Sequence, residues 1–189
     1  MSARDKVLQT ALSLFTHNGY FNTSMRDITR ESQVSTGSIY HYFKDKEGVA
    51  AALYQSMLER MQGELEEIAR RHETAHDQCY AVLKLLFEIT QSEPEAMTFM
   101  LYIKHREFLP HERPVCSSVP FEMMRSMVQR GMQRGEIEQG DLMALSSCLF
   151  GGGIRLITSE LDDLLDKPLI EYLPDVWRCS WRAVAVSGS

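Results

Sequence analysis

Apolar residues recur along this chain every three or four positions, and that spacing predicts helices from end to end. Val7, Leu8, Ala11, Leu12, Leu14 and Phe15 mark a first helix from about Ala3 to His17, closed at Asn18-Gly19. Met25 and Ile28 give a second, short helix one narrow apolar face. Thr23 or Ser24 supplies its N-cap oxygen, and Ser24 with Asp27 has the capping-box spacing. Gln33-Val34-Ser35 makes a turn. Thr36 to Phe43 then forms a third helix, with Ile39 and Phe43 four apart on its buried side. Phe21 is expected to pack back on this three-helix core. A fourth helix runs unbroken from Asp45 or Lys46 to about Arg71, with Val49, Leu53, Met57, Met61, Leu65 and Ile68 as its stripe. Such a helix spans roughly 38 Å at 1.5 Å per residue.

The pattern continues in the same period. A fifth helix covers about Thr74 to Gln91. Ser92-Glu93-Pro94-Glu95 reads as a capping box opening a sixth, which is apolar nearly all round and extends to about Phe108. Leu109 to Ser118 is the one substantial loop, and Pro120 opens a seventh helix that stops at Arg134-Gly135. An eighth follows Gly140-Asp141. Pro174 either kinks the ninth or begins it, and Val186 to Ser189 reads as a frayed tail. No strand pattern and no internal repeat is present. The expected fold class is therefore all-α with about nine helices: an N-terminal three-helix head at residues 1–47, joined by the long helix at 45–71 to a helical body at 48–189.

Two short helices joined by a three-residue turn form the helix-turn-helix pattern, whose second helix enters the DNA major groove. The residue types agree. The exposed side of the third helix carries Thr36, Ser38, Tyr40 and His41, hydroxyls and amphipathic rings suited to base edges and phosphate oxygens. Gly37 lets the helix start approach a groove wall. Lys44 and Lys46 follow at the next helix N-terminus, where the dipole also favours a phosphate.

Net charge is −6, which at first counts against a nucleic-acid binder. The distribution answers this. Residues 1–50 hold six Lys/Arg against five Asp/Glu, leaving fourteen against twenty-one in the remainder. An acidic body behind a near-neutral head orients the head towards phosphate. No apolar run approaches the roughly 18 residues of a membrane-crossing helix. No signal peptide is expected either, so the chain is placed in the cytoplasm with no membrane partner. The four cysteines form no CxxC pair and read as reduced packing residues. The six histidines show no metal-ligand spacing. His105, Arg106, Glu107, His111 and Cys116 make no base–nucleophile–orienter set, so no catalytic residue and no cofactor is expected.

Thr23-Ser24, Asp27-Ile28 and Val34-Ser35-x-Gly37-x-Ile39-Tyr40-x-Tyr42-Phe43-x-x-Lys46-Glu47, preceded by Ala11, Leu14-Phe15 and Gly19, resemble the signature of the TetR (tetracycline-repressor type) family of transcriptional regulators. The likeness covers about residues 4–54. Thr29 stands where the family commonly has alanine, and Gly48 where a larger apolar residue is usual. Neither lies on the expected DNA surface. The resemblance implies that Thr36 and Ser38, with Gly37 between them, face bases, while Ser24, Tyr40 and Lys46 hold phosphates of a palindromic double-stranded operator. Thr23, Ser35 and His41 complete the expected DNA-facing set.

The resemblance also implies a small-molecule effector pocket among helices four to seven. Met57, Met61, Phe87, Met97, Met100, Tyr102, Phe121 and Met124 are its candidate lining. Methionines at such spacing are also ordinary adaptable core, so a constitutive regulator with a solid core is the alternative. Repression, rather than activation, is the family's habit. On the eighth helix, Leu142, Leu145, Leu149, Gly152 and Leu156 alternate steps of three and four, the spacing of a helix–helix seam. With Trp177 and Trp181 they form the expected homodimer interface. Gly151 to Gly153 cost about 1 kcal/mol each in mid-helix, which makes sense where another backbone comes close.

Overall fold

A computed structural model describes residues 2–110 and 114–186. Nine α-helices are present among them: α1 (Ala3–His17), α2 (Met25–Ser32), α3 (Thr36–Tyr42), α4 (Lys46–Arg71), α5 (Ala75–Ser92), α6 (Pro94–Tyr102), α7 (Val119–Arg134), α8 (Leu142–Leu161) and α9 (Leu173–Arg182). An isolated bridge between Ile137 and Ala185 is the sole extended pairing among the described residues. His111 and the tail residues 187–189 lie outside the described residues.

The chain divides into two compact units. One comprises Met1–Glu59 with Glu95–Val115; the other comprises Arg60–Pro94 with Cys116–Ser189. The expected head, residues 1–47, lies within the first unit, which also takes in the start of α4 and nearly all of α6.

Local signals set the first unit's helix ends. Ser2 and Asp5 close a full capping box on α1, and Ser24 and Asp27 close another on α2. Gln33 ends α2 in the left-handed region at φ 57°. The Asp45 carboxylate accepts from Gly48 N and caps α4. Val7, Ala11, Phe15, Ile28, Ile39, Phe43, Val49 and Leu53 converge in one core, which Phe99, Phe108 and Leu109 complete. α6 ends at Tyr102, not at Phe108. Its apolar pattern continues through a bend and a 3-10 turn, His105–Glu107, which carries Phe108 into that core. There Phe108 stacks on Tyr20 at 3.8 Å between ring centroids. Phe21 does not pack inside as expected. It is 67% exposed and only leans its ring against Tyr20 and Phe108, because Tyr20 fills the inner place.

His105 is buried among Tyr54, Phe99 and Phe108, with no hydrogen-bond partner on Nε2 among the described residues. Burial lowers its pKa to about 4 from an ordinary 6.5. The unfolded chain therefore takes up the proton first as the solution is acidified. The neutral-His stability is complete above about pH 6.5 and is lost progressively as pH falls towards 4. Urea unfolding at several pH values should show this slope in the native protein. His105→Phe should flatten it, and an unchanged slope would place the acid sensitivity elsewhere.

In the second unit α5 packs against α7 and α8, and α8 packs against α9. Thr74 caps α5 through Asp77 N, and Asp141 caps α8 through Ala144 N. The capping box expected at Ser92 does not form. Ser92 is the last residue of α5 and its hydroxyl donates to Glu88 O, while Glu93 is the C-cap. Pro174 sits in the first turn of α9, so it begins that helix. Of the cysteines only Cys79 is a packing residue, its thiol pushed up to about 12 by burial; Cys116, Cys148 and Cys179 are exposed.

The glycine run on α8 resolves into three different environments. A Cβ on Gly153 would lie 2.1 Å from Leu83 Cδ1 of α5, and one on Gly152 would lie 3.2 Å from Val176 Cγ2 of α9; Gly151 faces open space. α8 also corrects the membrane expectation. Leu142–Leu161 is long and apolar enough to cross a membrane by length and composition, with mean hydropathy 1.4. Its Leu, Ile, Met, Cys and Phe residues keep the average high, while Ser and Gly break them up so that no obvious apolar block forms. Only 28% of that window is buried within the chain.

Candidate nucleic-acid interface

α3 is seven residues long and would not hold alone in water. Ile39, fully buried, and the cap residue Phe43 pin it to the core, while Ser35 caps its start by accepting from Ser38 N at 3.2 Å. Those anchors fix which side faces out. Ser35, Thr36, Gly37, Tyr40 and His41 are exposed and Ser38 is half-buried. The Ser35 and Ser38 hydroxyls pair at 2.8 Å. A Cβ added at Gly37 would meet nothing within 4 Å. Tyr42, quoted in the sequence motif but not placed on DNA, is 48% exposed beside His41, with ring centroids 5.4 Å apart. Its neighbour Phe43 fills the core position, which turns Tyr42 outward; helical spacing from Ile39 already contains that signal.

Three expected DNA contacts have other duties. Thr23 is 2% exposed, and its hydroxyl donates to Leu14 O and Gly19 O, so it braces the loop between α1 and α2. The Ser24 hydroxyl donates to Asp27 and accepts from its amide, so it is used within the cap although the residue is exposed. Lys46 turns inward. Its ammonium donates to Tyr20 O and Thr23 O, both at 2.9 Å, and sits 4.1 Å from the Tyr20 ring centroid. Tyr20, desolvated and facing Glu47 and Asp45, keeps its proton, with a pKa near 12. Cations at a helix N-terminus are disfavoured by the dipole, and two carbonyls with a ring face offset that cost. Hydrogen bonds from a charged donor are worth about 1.5–3 kcal/mol. Lys46→Met should therefore lower the urea midpoint by an amount equivalent to about 1–3 kcal/mol. The salt slope of DNA binding should stay as it was; a slope reduced by about one would mean that Lys46 leaves Tyr20 for a phosphate.

Arg30 pairs with Asp27 and Glu31, both at 3.0 Å. Arg26 and Lys44 are exposed and form no ion pair among the described residues.

The expected effector residues fall in both units. Met57, Met97, Met100 and Tyr102 belong to the first, where Met57 and Met100 pack on the head core, Met97 is buried and Tyr102 is 44% exposed. Met61, Phe87, Phe121 and Met124 belong to the second. Phe87 is fully buried core. Phe121 and Met124 line a recess of about 320 Å³ between α7 and α8, with Met143, Phe150 and Ile154. Arg125 also lines it and donates to Cys116 O at 3.0 Å.

Part of the expected dimer seam is taken up by the chain itself. Leu149 is fully buried and Trp177 is 7% exposed, so neither offers a surface to a partner. Leu142, Leu145, Leu156 and Trp181 are half-buried, and Gly152 faces Val176 of α9. Alternating steps of three and four mark a helix–helix seam without saying whose helix completes it; here α9 and α5 do. The exposed residues of α8 are Met143, Ala144, Ser147, Cys148, Gly151, Gly152 and Arg155. Trp177 is held inside by its indole N–H, which donates to His76 Nε2 at 3.1 Å.

A capped, core-pinned short helix with a polar outward face, following a three-residue turn, defines a helix-turn-helix DNA-binding protein. Residues 7–53 match the profile of bacterial regulatory proteins, tetR family. Residues 7–53 thus carry a tetR-family DNA-binding domain, and the curated relatives that the chain matches are transcriptional regulators. The fatty acid metabolism regulator protein of Bacillus subtilis is 24% identical over 157 residues, 77% of each chain. The HTH-type transcriptional repressor KstR2 of Mycolicibacterium smegmatis is 34% identical over 67 residues, which is 35% of this chain and 33% of that protein. In fold, the chain matches the crystal structure of the transcriptional regulator FadR from Bacillus subtilis in complex with stearoyl-CoA. The TM-score is 0.78 at 20% identity, covering 98% of both chains.

Proposed function

We propose that the protein is a homodimeric repressor that binds a palindromic operator and leaves it when a fatty-acyl compound occupies its helical body. The outward face of α3 carries the DNA half of this reading. Thr36, Gly37 and Ser38 enter the major groove, and Tyr40, Tyr42, Arg26 and Lys44 meet the phosphates on either side. One short helix makes too few contacts for tight specific binding. Two copies on a two-fold axis double them and set a half-site spacing of roughly 34 Å or a multiple.

The poorly buried outward side of α8 supports pairing with a second copy, since Ala144, Ser147, Cys148 and Gly151 are small enough for close helix approach. Gly151 tests this better than Gly152, because a Cβ there meets nothing within 4 Å, and since Gly151 also lines the α7–α8 recess the readout is assembly and not effector binding. Gly151→Arg should convert the dimer to monomer in sedimentation with the helical content intact. A persisting dimer would move the interface off this face.

Two observations support the effector class: the apolar α7–α8 recess with Arg125 at its edge, and the likeness to regulators named for fatty acid metabolism. Phe121, Met124 and Phe150 would take the chain and Arg125 the polar end. The recess is at the small end of ligand pockets, which favours a medium-length chain. α4 supplies residues to both units, so an effector that favours one α4 tilt alters the spacing of the two α3 helices. A coupling of about 1–3 kcal/mol gives a 5- to 150-fold loss of operator affinity, and DNA must weaken effector binding by the same factor. No catalytic step belongs to this reading, in keeping with the regulators it resembles, and the place of action is the cytoplasm. A chain-length series of fatty acids and acyl-CoAs, screened by thermal shift and then titrated into free protein and into the operator complex, tests it. Equal affinity in the two titrations would sink effector control.

A further inference from the structure

The second unit carries a basic recess at the C-terminal ends of α4 and α7, in a body that is otherwise acidic. It encloses about 640 Å³ and is lined by Arg70, His72, Glu73, Gln78, Arg130 and Arg134. The side chain that organises it is Gln78, which is only 6% exposed. Its amide nitrogen donates to His72 O at 2.7 Å and to Ala69 O at 3.5 Å. Both amide hydrogens are thus committed, and the amide oxygen is left to accept from Arg130 Nη2 at 3.3 Å. Arg134, one turn further along α7, donates to Glu73 O.

Two guanidinium groups are therefore positioned by neutral oxygens, and neither pairs with a carboxylate among the described residues. The nearby acids are committed elsewhere. Glu67 pairs with Arg70 and Arg71, and Glu136 accepts from Ala75 N at 2.7 Å and His76 N at 3.3 Å at the start of α5. Glu73 is the one carboxylate on the rim. Cations near a helix C-terminus are favoured by the dipole, which accounts for Arg134 in the last turn. It does not account for a second guanidinium at the i,i+4 position, where like charges repel, held by a buried amide built to aim it. Guanidinium groups fixed in this way, each with N–H donors left over, suit oxyanions that can accept from both forks.

We infer that this recess binds a small phosphorylated metabolite through a diphosphate-type group held between Arg130 and Arg134, with His72 at its edge. The volume leaves room for the rest of such a molecule. The site is separate from the α7–α8 recess and does not depend on what fills that one.

Inorganic pyrophosphate is the probe, titrated calorimetrically into the full-length protein and into variants, with sulfate at matched ionic strength as the reference anion. Wild type should bind pyrophosphate saturably and at least about tenfold more tightly than sulfate. Arg130→Gln and Arg134→Gln should each weaken pyrophosphate about tenfold or more. Arg130→Lys should recover only part of the loss, since it keeps the charge without the fork. Glu73→Gln, an exposed change that leaves the fold alone, should tighten binding severalfold. Lys44→Gln in the head should leave it unchanged. No saturable binding at millimolar pyrophosphate, equal affinity for sulfate, or affinities that do not move in the Arg130, Arg134 and Glu73 variants would each overturn the assignment. A variant that melts earlier without changing pyrophosphate affinity would show that its arginine serves only the helix end.

Discussion

Gly37→Glu is expected to abolish operator binding while leaving the protein at least as stable as before. The position is exposed in the first turn of α3, and a Cβ there meets nothing within 4 Å, so the folded chain accommodates the side chain. Glutamate is a better helix former than glycine by several tenths of a kcal/mol, and an acid in a first helical turn suits the dipole. In the complex the same carboxylate is carried into the groove between two rows of phosphates. Like charges brought together across an interface cost several kcal/mol, and a dimer incurs that twice. A loss of at least about 100-fold in affinity, with no fall in melting temperature, is the expected pair of results. Thr36→Ala is the finer companion: it should shift the preferred base at one position of each half-site by about 1 kcal/mol, the worth of a single neutral hydrogen bond. Retention of operator affinity by Gly37→Glu would mean that another surface reads the DNA.

The second large effect concerns α8. Gly153→Val should destabilise the protein by about 1–3 kcal/mol, the usual cost of overpacking a filled core. Its new Cβ would lie 2.1 Å from Leu83 Cδ1 and 3.3 Å from Leu83 Cγ. Leu83 is fully buried, so it has no solvent to swing into. The contrast is Gly63→Ala in the middle of α4, where the glycine is exposed and a Cβ meets nothing. That change should stabilise by up to about 1 kcal/mol through helix propensity alone. Urea midpoints of the two variants should move in opposite directions. A stabilised Gly153→Val would mean that α5 and α8 stand further apart than these contacts require.

These two glycines show what sequence can and cannot carry. Helix existence was legible throughout, because burial on one side of a helix enforces the 3.6-residue period. The ends of α1, α2, α4 and α8 were legible from their caps. Ser92 failed as a cap because a proline two positions on admits two readings, and here Glu93 had already ended α5. The reach of α6 was overestimated because Phe108 and Leu109 are as buried as the helix residues before them. A bend and a 3-10 turn satisfy the same burial without the helix.

For the site, Thr36, Gly37, Tyr40 and His41 followed directly from Ile39 and Phe43 holding the opposite face. Lys46 did not, because a lysine at a helix start reads equally as a phosphate ligand. Only the positions of Tyr20 O and Thr23 O, more than twenty residues away, turn it inward. Part of the α8 seam is internal, at Leu149 and Trp177. Periodicity identifies a buried stripe and leaves its partner open, so Leu149 and Trp177 read as an interface until α5 and α9 are placed beside them. Gln78 gave no sequence signal at all: a single buried amide has no period, and its role depends on Arg130, 52 residues away.

In this protein α3 is proposed as the element that reads base sequence. The most direct test is to titrate the protein, at one fixed salt concentration, into a duplex carrying the region upstream of its own gene and into a scrambled duplex of the same length. Specific binding should be tighter by about 10³-fold or more, and the complex should contain two copies of the chain per site. Equal affinity for the two duplexes would contradict the account.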